Sequence, residues 1–489
     1  MNLKFGLAAL LISSFLASIV QFNFGKTEIT LEKLDTGNGQ YIYYDLYKPK
    51  IASEKNKVPF IAIIPGFQRS KEALSNIAIE LSRRGYVVGL IDPYAQGLSS
   101  SSRSRIAATT QGYGMFALIE HVNESSDFNF INKELLGSTG HSMGGNAAIR
   151  GANYFGKKAD EQNKKSLLHS VYVSGYVLTL RDDVLKDVRS NVGVSYALYD
   201  EGSFRNELKN WDAANMKIAP ESLRTVNSGL KKEEHISEVE LGKYYGDLES
   251  NTLRVIFNEE LLHPFQPYNA EATANQLAYF ETVFGAPIKL DTYDQIWQWK
   301  EFFTLLNMII SFWLLIPLTR TLLKINFFKT LVKPIPEALP VQNRVGKTIF
   351  WSVFFVSAGI ACVTFIPLVE VAKTLFPEAA TRQLTWFFPQ RMNNSVMLWA
   401  LLNGSIGIFL FFVTYYFFGK KHGVKINSWG LELSFKDIYK TILLSLIIFI
   451  VYFSLLFLIY FLFHIDYRFW FMGVRIFQPE MLLVLAMYF

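Results

Sequence analysis

The sequence predicts an α/β domain with a mostly parallel central sheet, followed by an all-α transmembrane helical domain. Three observations predict it. Strand-like and helix-like patterns alternate through the first 285 or so residues, as expected for helices crossing between parallel strands. From Phe302 onward, long apolar runs replace that alternation. Half of the 489 residues are hydrophobic, more than a soluble surface usually tolerates, and the excess lies in those runs.

The composition break divides the chain. Residues 1–25 read as a signal peptide or an N-terminal membrane anchor, residues 26–298 as an extracytoplasmic globular domain, and residues 299–489 as a multi-pass transmembrane domain. Within the globular part, Tyr41 to Tyr47 reads as an early strand and Val58 to Ile64 as a buried strand ending at Pro65-Gly66. Ser75 to Arg84 is an amphipathic helix stopped by Gly85. Tyr86 to Ile91 is the next buried strand, ending at Asp92-Pro93, and Gln111 to Asn123 is helical. Leu135 to Thr139 is a short strand that runs into Gly140-His141-Ser142-Met143-Gly144, and Asn146 to Phe155 continues as helix. Leu168 to Val173, Val192 to Tyr199 and Leu253 to Phe257 supply three further strands, and Ala270 to Phe284 a closing helix.

Phe5 to Phe24 is mostly apolar, carries no charge and follows Lys4. Leu16-Ala17-Ser18-Ile19-Val20-Gln21 is only a partial match to a cleavage site, which favours an anchor. Further apolar runs at 302–322, 348–369, 396–418 and 441–463 are each near the ~20 residues that a helix needs to cross a hydrocarbon core. The segment 320–347 holds Arg320, Lys324, Lys329, Lys333, Arg344 and Lys347 against Glu337. The segment 420–440 holds Lys420, Lys421, Lys425, Lys436 and Lys440 against Glu432 and Asp437. The positive-inside rule makes both loops cytoplasmic and leaves the globular domain outside, in a multi-pass protein of the cell membrane. Met481 to Phe489 is apolar but too short to span. It is expected either to belong to a truncated last helix or to form a re-entrant or interfacial segment.

Composition narrows the function classes. Cys362 is the only cysteine, so an intrachain disulfide and a multi-cysteine metal site are excluded. It sits in an apolar run, where a buried thiol acts as a small hydrophobe. The net charge is +6, but the basic residues cluster in loops between apolar runs and form no nucleic-acid footprint. No metal constellation, phosphate loop or nucleotide fingerprint is present in the sequence, so no cofactor is expected.

The pentapeptide Gly140 to Gly144 has the form G-x-S-x-G. Alone it is weak. A strand before it and a helix after it give it the context of a nucleophile elbow, where glycines at 140 and 144 permit a tight turn. In element order and spacing, residues 28–285 resemble the α/β-hydrolase fold. Within it the closest resemblance is to dienelactone-hydrolase or cutinase-like serine esterases. No family resemblance is read from the membrane half.

The resemblance implies a site. Ser142 is the expected nucleophile. The expected oxyanion donors are the backbone N–H of Met143, next to the nucleophile, and of Phe67, in the loop Pro65-Gly66-Phe67-Gln68. The fold's chain order is nucleophile, acid, histidine. Of the histidines that follow Ser142, His169 starts a strand, His235 lies in a charged stretch, and His422 and His464 belong to membrane loops. His263 follows the last strand and precedes the closing helix, and is the expected base. His141 is expected to point elsewhere. Asp200, after the strand ending at Tyr199, is the expected acid. Glu201 stays open beside it, and Asp182, Asp183 and Asp247 are weaker. The loop Asp92 to Ser99 is expected to shape the rim, and the charged insertion 205–250 to shade the site.

These residues point to a membrane-tethered serine hydrolase acting on an acyl ester or lipid-like small molecule, next to membrane lipid. Peptide hydrolysis and acyl transfer use the same triad and remain open. So does a membrane sensor or transport component whose hydrolase domain only binds.

Overall fold

The computed structural model describes residues 3–67, 69–104, 106–334, 343–380, 391–429 and 434–468. Gln68, Glu337, Glu432 and the segment Met481 to Phe489 lie outside the described residues. The chain divides into two compact units, one of Leu10–Met308 with Ile459–Ile476, the other of Met1–Ala9, Ile309–Leu458 and Phe477–Phe489.

After helix α1 (Leu3–Gln21), which the two units share, the first unit has strands β1 (Thr27–Gly37), β2 (Gln40–Pro49) and β3 (Val58–Ile64), helix α2 (Ser75–Arg83) and strand β4 (Val87–Ile91). Helices α3 (Ala107–Gln111) and α4 (Met115–Glu124) precede β5 (Ile131–His141) and the long helix α5 (Met143–Gln162). Then come β6 (Ser170–Ser174), α6 (Asp182–Leu185), β7 (Asn191–Ser195), α7 (Pro220–Asn227), β8 (Arg254–Phe257) and α8 (Ala270–Phe284).

Among the described residues, eight strands form one sheet in the order β1-β2-β4-β3-β5-β6-β7-β8. The β1–β2 and β2–β4 pairings are antiparallel and the rest are parallel. The central strands are buried on both faces, which is why Val58 to Ile64 is a continuous apolar run without alternation. Its side chains still divide by the pleat. Phe60, Ala62 and Ile64 join a core with Leu118 of α4 and Ile149 and Phe155 of α5, whereas Ile61 and Ile63 join one with Ile77 of α2 and Leu277 and Phe280 of α8.

The structure adds β1, an edge strand absent from the sequence reading. Glu28, Glu32, Lys33 and Asp35 disguise it, and its residues are mostly half-exposed or exposed. The β1–β2 turn holds Asn38 at φ 55° and Gly39 at φ 70°, an Asn-Gly hairpin signal. Conversely, β7 ends at Ser195, four residues before the expected end at Tyr199.

The linker after α8 is fastened to α2 by buried charge. Glu80 Oε1 accepts the N–H of Ile296 (2.7 Å) and Trp297 (3.1 Å), while Arg84 donates to the carbonyls of Asp291 and Asp294. Glu80 and Arg84 pair at 3.0 Å with essentially no exposure. This fixes where α9 (Trp297–Leu322) begins.

The second unit is helical. It contains most of α9, then α10 (Arg344–Leu375), α11 (Pro377–Ala380), α12 (Arg391–Thr414) and most of α13 (Phe435–Phe463). Trp399 Nε1 donates to the Ala361 carbonyl at 2.8 Å and ties α12 to α10. Cys362 is exposed on α10, not buried as its apolar surroundings suggested. Among the described residues, five helices are long and apolar enough to cross a membrane: Leu3–Gln21, Trp297–Leu322, Arg344–Leu375, Asn393–His422 and Phe435–Phe463.

Candidate active site

The elbow is built by close approach of backbone. Ser142 sits between β5 and α5 at φ 58° and ψ −117°, a strained conformation for a residue with a Cβ. The turn persists because its surroundings over-determine it. The Ser142 N–H donates to the Ser174 carbonyl at 2.8 Å, and the Ser142 carbonyl accepts the Asn146 N–H at 3.0 Å. A Cβ on Gly144 would stand 1.8 Å from the Ile64 carbonyl oxygen, and one on Gly140 would stand 2.4 Å from the Gly144 carbonyl carbon. Both positions therefore require glycine. Met143 opens α5, a 20-residue helix whose positive dipole end faces the elbow.

Beyond β7 and β8 the two chains keep running side by side. Tyr196, Leu198 and Tyr199 donate their N–H groups to the carbonyls of Phe257 (3.1 Å), Glu259 (2.8 Å) and Leu261 (3.0 Å). This extension delivers Asp200 and His263 to the same place. His263 Nδ1 lies 2.8 Å from Asp200 Oδ2, and Asp200 Oδ1 accepts the Gly202 N–H at 2.7 Å. The Asp200 side chain is 4% exposed, whereas Glu201 is exposed. With Nδ1 facing Asp200, Nε2 lies on the side of the ring away from that carboxylate. Among the described residues no hydrogen bond joins Ser142 Oγ to His263; such bonds often tighten only when substrate binds.

Glu259, missed in the sequence, anchors the histidine loop. It is buried and accepts from Ser195 Oγ (2.8 Å), Asn275 Nδ2 (2.9 Å) and Gln266 Nε2 (3.2 Å). Burial raises its carboxyl above the usual range, against the pull of these donors. His141 does not point away from the site: its buried ring lies 4.5 Å from that of His263, tilted by 39°. Burial first, then the neighbouring His263 and Arg69, pushes its imidazole well below the ordinary 6.5, so it packs as a neutral ring.

Other candidates are placed elsewhere. Asp182 and Asp183 begin α6, and Asp247 caps a turn through the Ser250 N–H. His169 Nδ1 meets Ser170 Oγ. His235 is exposed. His464 is not confined to a membrane loop, because its Nε2 reaches Asp45 Oδ2 of β2 at 2.9 Å. Asp92 is not on the rim: it is fully buried and accepts the N–H of Lys71 (2.7 Å) and Leu98 (2.9 Å). No metal-binding cluster of His, Cys, Asp or Glu occurs among the described residues. Phe67 lies half-buried after β3, in the loop beside the elbow, where a Cβ on Gly66 would stand 3.4 Å from the Ser142 Cβ.

A mostly parallel sheet in this strand order, with a strained serine on the turn after its fifth strand, gives residues 27–284 the α/β-hydrolase fold. More particularly, residues 13–201 match the family model described as PETase, PET hydrolase-like. Similar solved structures include a dienelactone hydrolase from Anabaena variabilis, with 14% identity, a TM-score of 0.35, and coverage of 53% of this chain and 99% of that one. A CIB-like hydrolase from Thermoplasma acidophilum has 14% identity and a TM-score of 0.32, covering 53% and 97%. The thioesterase domain from the curacin biosynthetic pathway has 13% identity and a TM-score of 0.30, covering 52% and 99%. No curated protein gives a significant match.

Proposed function

We propose that this chain is a membrane-tethered, extracytoplasmic serine hydrolase that cleaves an ester of an apolar acyl group. The observation that carries the reading is the 2.8 Å contact between His263 Nδ1 and Asp200 Oδ2, in the same domain as a serine held at φ 58° on a strand–helix turn. Ser142 Oγ attacks the ester carbonyl and His263 Nε2 takes its proton. Asp200 holds the ring and stabilises the imidazolium. The amides of Met143 and Phe67 bind the developing oxyanion. Collapse expels the alcohol, which takes the proton back from His263. Water, deprotonated by the same imidazole, then releases the acid from the acyl-enzyme.

An apolar acyl group is supported by the surroundings. Leu262 and Phe265 flank His263, Tyr199 adjoins Asp200 and Phe204 lies four residues on, and all four side chains are exposed. The matched family model, described as PET hydrolase-like, also supports ester cleavage. Tethering is supported by the five long apolar helices, and the outside placement by the basic loops at 320–347 and 420–440.

Labelling with a fluorophosphonate tests the reading. Wild type is expected to react and Ser142→Ala to stay unlabelled. An unreactive wild type would leave a binding-only domain, and equal labelling of Ser142→Ala would show that Ser142 is not the nucleophile. A panel of acyl esters and peptides then separates esterase from peptidase, and an added alcohol acceptor detects acyl transfer.

A further inference from the structure

We propose that the segment at and beyond the end of α13, Tyr460 to Arg468, positions the loop that presents the Phe67 amide. This stretch, which belongs to the same compact unit as the sheet, would thereby complete the hydrolase site. The inference rests on the reading of Phe67 as an oxyanion donor.

The link is a cluster of buried charge. Lys71, four residues beyond Phe67, is completely buried, a state that lysine tolerates only with partners. Its ammonium lies 2.9 Å from Glu72 Oε1 and 3.4 Å from Asp45 Oδ1, and donates to the Tyr460 hydroxyl at 2.9 Å. His464 takes the second Asp45 oxygen at 2.9 Å, and its carbonyl accepts from Gln21 Nε2 at 2.6 Å. Arg468 stands 3.8 Å from Glu72 Oε2 and is held by an ion pair with Asp466. Burial alone would raise the Glu72 carboxyl, but Lys71 and Arg468 outweigh it and hold it well below the usual range. The stretch from Tyr460, in the last turn of α13, to Arg468 thus supplies a guanidinium beside Glu72, itself paired with Asp466, and two hydrogen-bonding groups that the Asp45–Lys71–Glu72 cluster otherwise lacks.

From this cluster the backbone leads directly to the site. The Lys71 N–H donates to Asp92 Oδ1 at 2.7 Å. The turn carrying Leu98 wraps the same carboxylate so closely that a Cβ on Gly97 would stand 2.0 Å from it. From that turn Gln96 Nε2 reaches back to the carbonyls of Gly66 (3.3 Å) and Arg69 (2.8 Å). Lys71 is therefore held by the charge cluster, and the carbonyls of Gly66 and Arg69 on either side of Phe67 are held by Gln96. An oxyanion donor acts only when placed to within about half an ångström, so loosening Lys71 reduces turnover before it reduces substrate binding.

The experiment uses the full-length protein in lipid vesicles, measuring kcat, KM and thermal midpoint on a short acyl ester. The double variant His464→Leu/Arg468→Met is expected to lose about tenfold or more in kcat, short of the roughly 10²–10³-fold that removing an oxyanion donor outright costs, with KM within about twofold. Arg468→Lys alone is expected to retain most of the turnover, and Tyr460→Phe, which removes one hydrogen-bond acceptor from buried Lys71, to lower kcat while the midpoint falls by only a few degrees. Val226→Ala, a core change in α7, supplies a comparison of lowered stability. The proposal is overturned if the double variant turns over like wild type, or if Val226→Ala at the same midpoint loses as much kcat. Should the double variant not fold, Tyr460→Phe decides alone, and wild-type kcat there overturns it. Phosphonate labelling of wild type and Ser142→Ala is run alongside. An unlabelled wild type removes the hydrolase reading and this proposal together. Ser142-dependent labelling with unaffected variants removes this proposal only.

Discussion

His263 Nδ1 and Asp200 Oδ2 lie 2.8 Å apart across 63 residues of chain. The contact exists because residues 196–199 and 257–261 continue side by side past their strands. Asp200→Asn preserves the shape but turns an acceptor into a donor at Nδ1, favouring the wrong tautomer. A fall in kcat of about 10³–10⁴-fold is expected. Glu201 is exposed, and Glu201→Gln is expected to stay within about twofold of wild type. Ester hydrolysis rates of the two variants, measured together, check the assignment; equal losses would contradict it.

The glycine at 144 is a steric requirement. Gly144→Ala would place a carbon 1.8 Å from the Ile64 carbonyl oxygen, and backbone of a buried strand cannot yield cheaply. A loss of more than about 3 kcal/mol in stability is expected, at the severe end for single substitutions. Thermal unfolding of the full-length protein measures it, and a midpoint equal to wild type would contradict the elbow geometry.

His141 makes stability depend on pH in a definite direction. Its folded imidazole titrates well below 6.5 because it is buried, with His263 and Arg69 adding to the effect. Below about pH 6.5 the unfolded chain therefore binds a proton that the folded chain does not, and stability falls as the pH is lowered. Replacing the ring by a non-titrating one, His141→Phe, is expected to flatten the decline between about pH 6.5 and 5. Urea unfolding at several pH values for both proteins checks this. Parallel curves would show that another group carries the dependence.

The exposed side chains of Leu262 and Phe265 are expected to contact the acyl chain. Phe265→Ser removes an aromatic surface worth roughly 1.5 kcal/mol when covered. KM for an octanoyl ester is expected to rise about tenfold, with little change for an acetyl ester. Equal shifts for both esters would place the acyl chain elsewhere.

Much of the domain was legible because each signal is local. Val58 to Ile64 and Ala270 to Phe284 have the same bounds in the sequence reading and in the structure, since an uninterrupted apolar run and an Asn-capped helix announce themselves. β1 was hidden because an edge strand needs no apolar face, although Asn38-Gly39 marked its turn. The loop Asp92 to Ser99 reads as rim from its resemblance to the fold's usual loop after the fourth strand. Nothing local foretells that two backbone amides and a neighbouring buried lysine await Asp92. Glu259 and His141 escaped for the same reason: their partners, Asn275 and His263, come from other segments.

The sequence by itself determined the apolar runs long enough for membrane helices, the alternation that makes a parallel sheet, and a serine between glycines on a strand–helix turn. Those features follow from period, length and the lack of a side chain, which neighbouring residues specify. Tertiary structure alone decided that Asp200 and not Glu201 faces His263, that His141 packs on that ring, and that Lys71 is buried among Asp45, Glu72 and Tyr460. Each depends on which distant segments share a place. Burial then sets the sign and strength of every charge interaction there, and no single stretch of chain encodes burial.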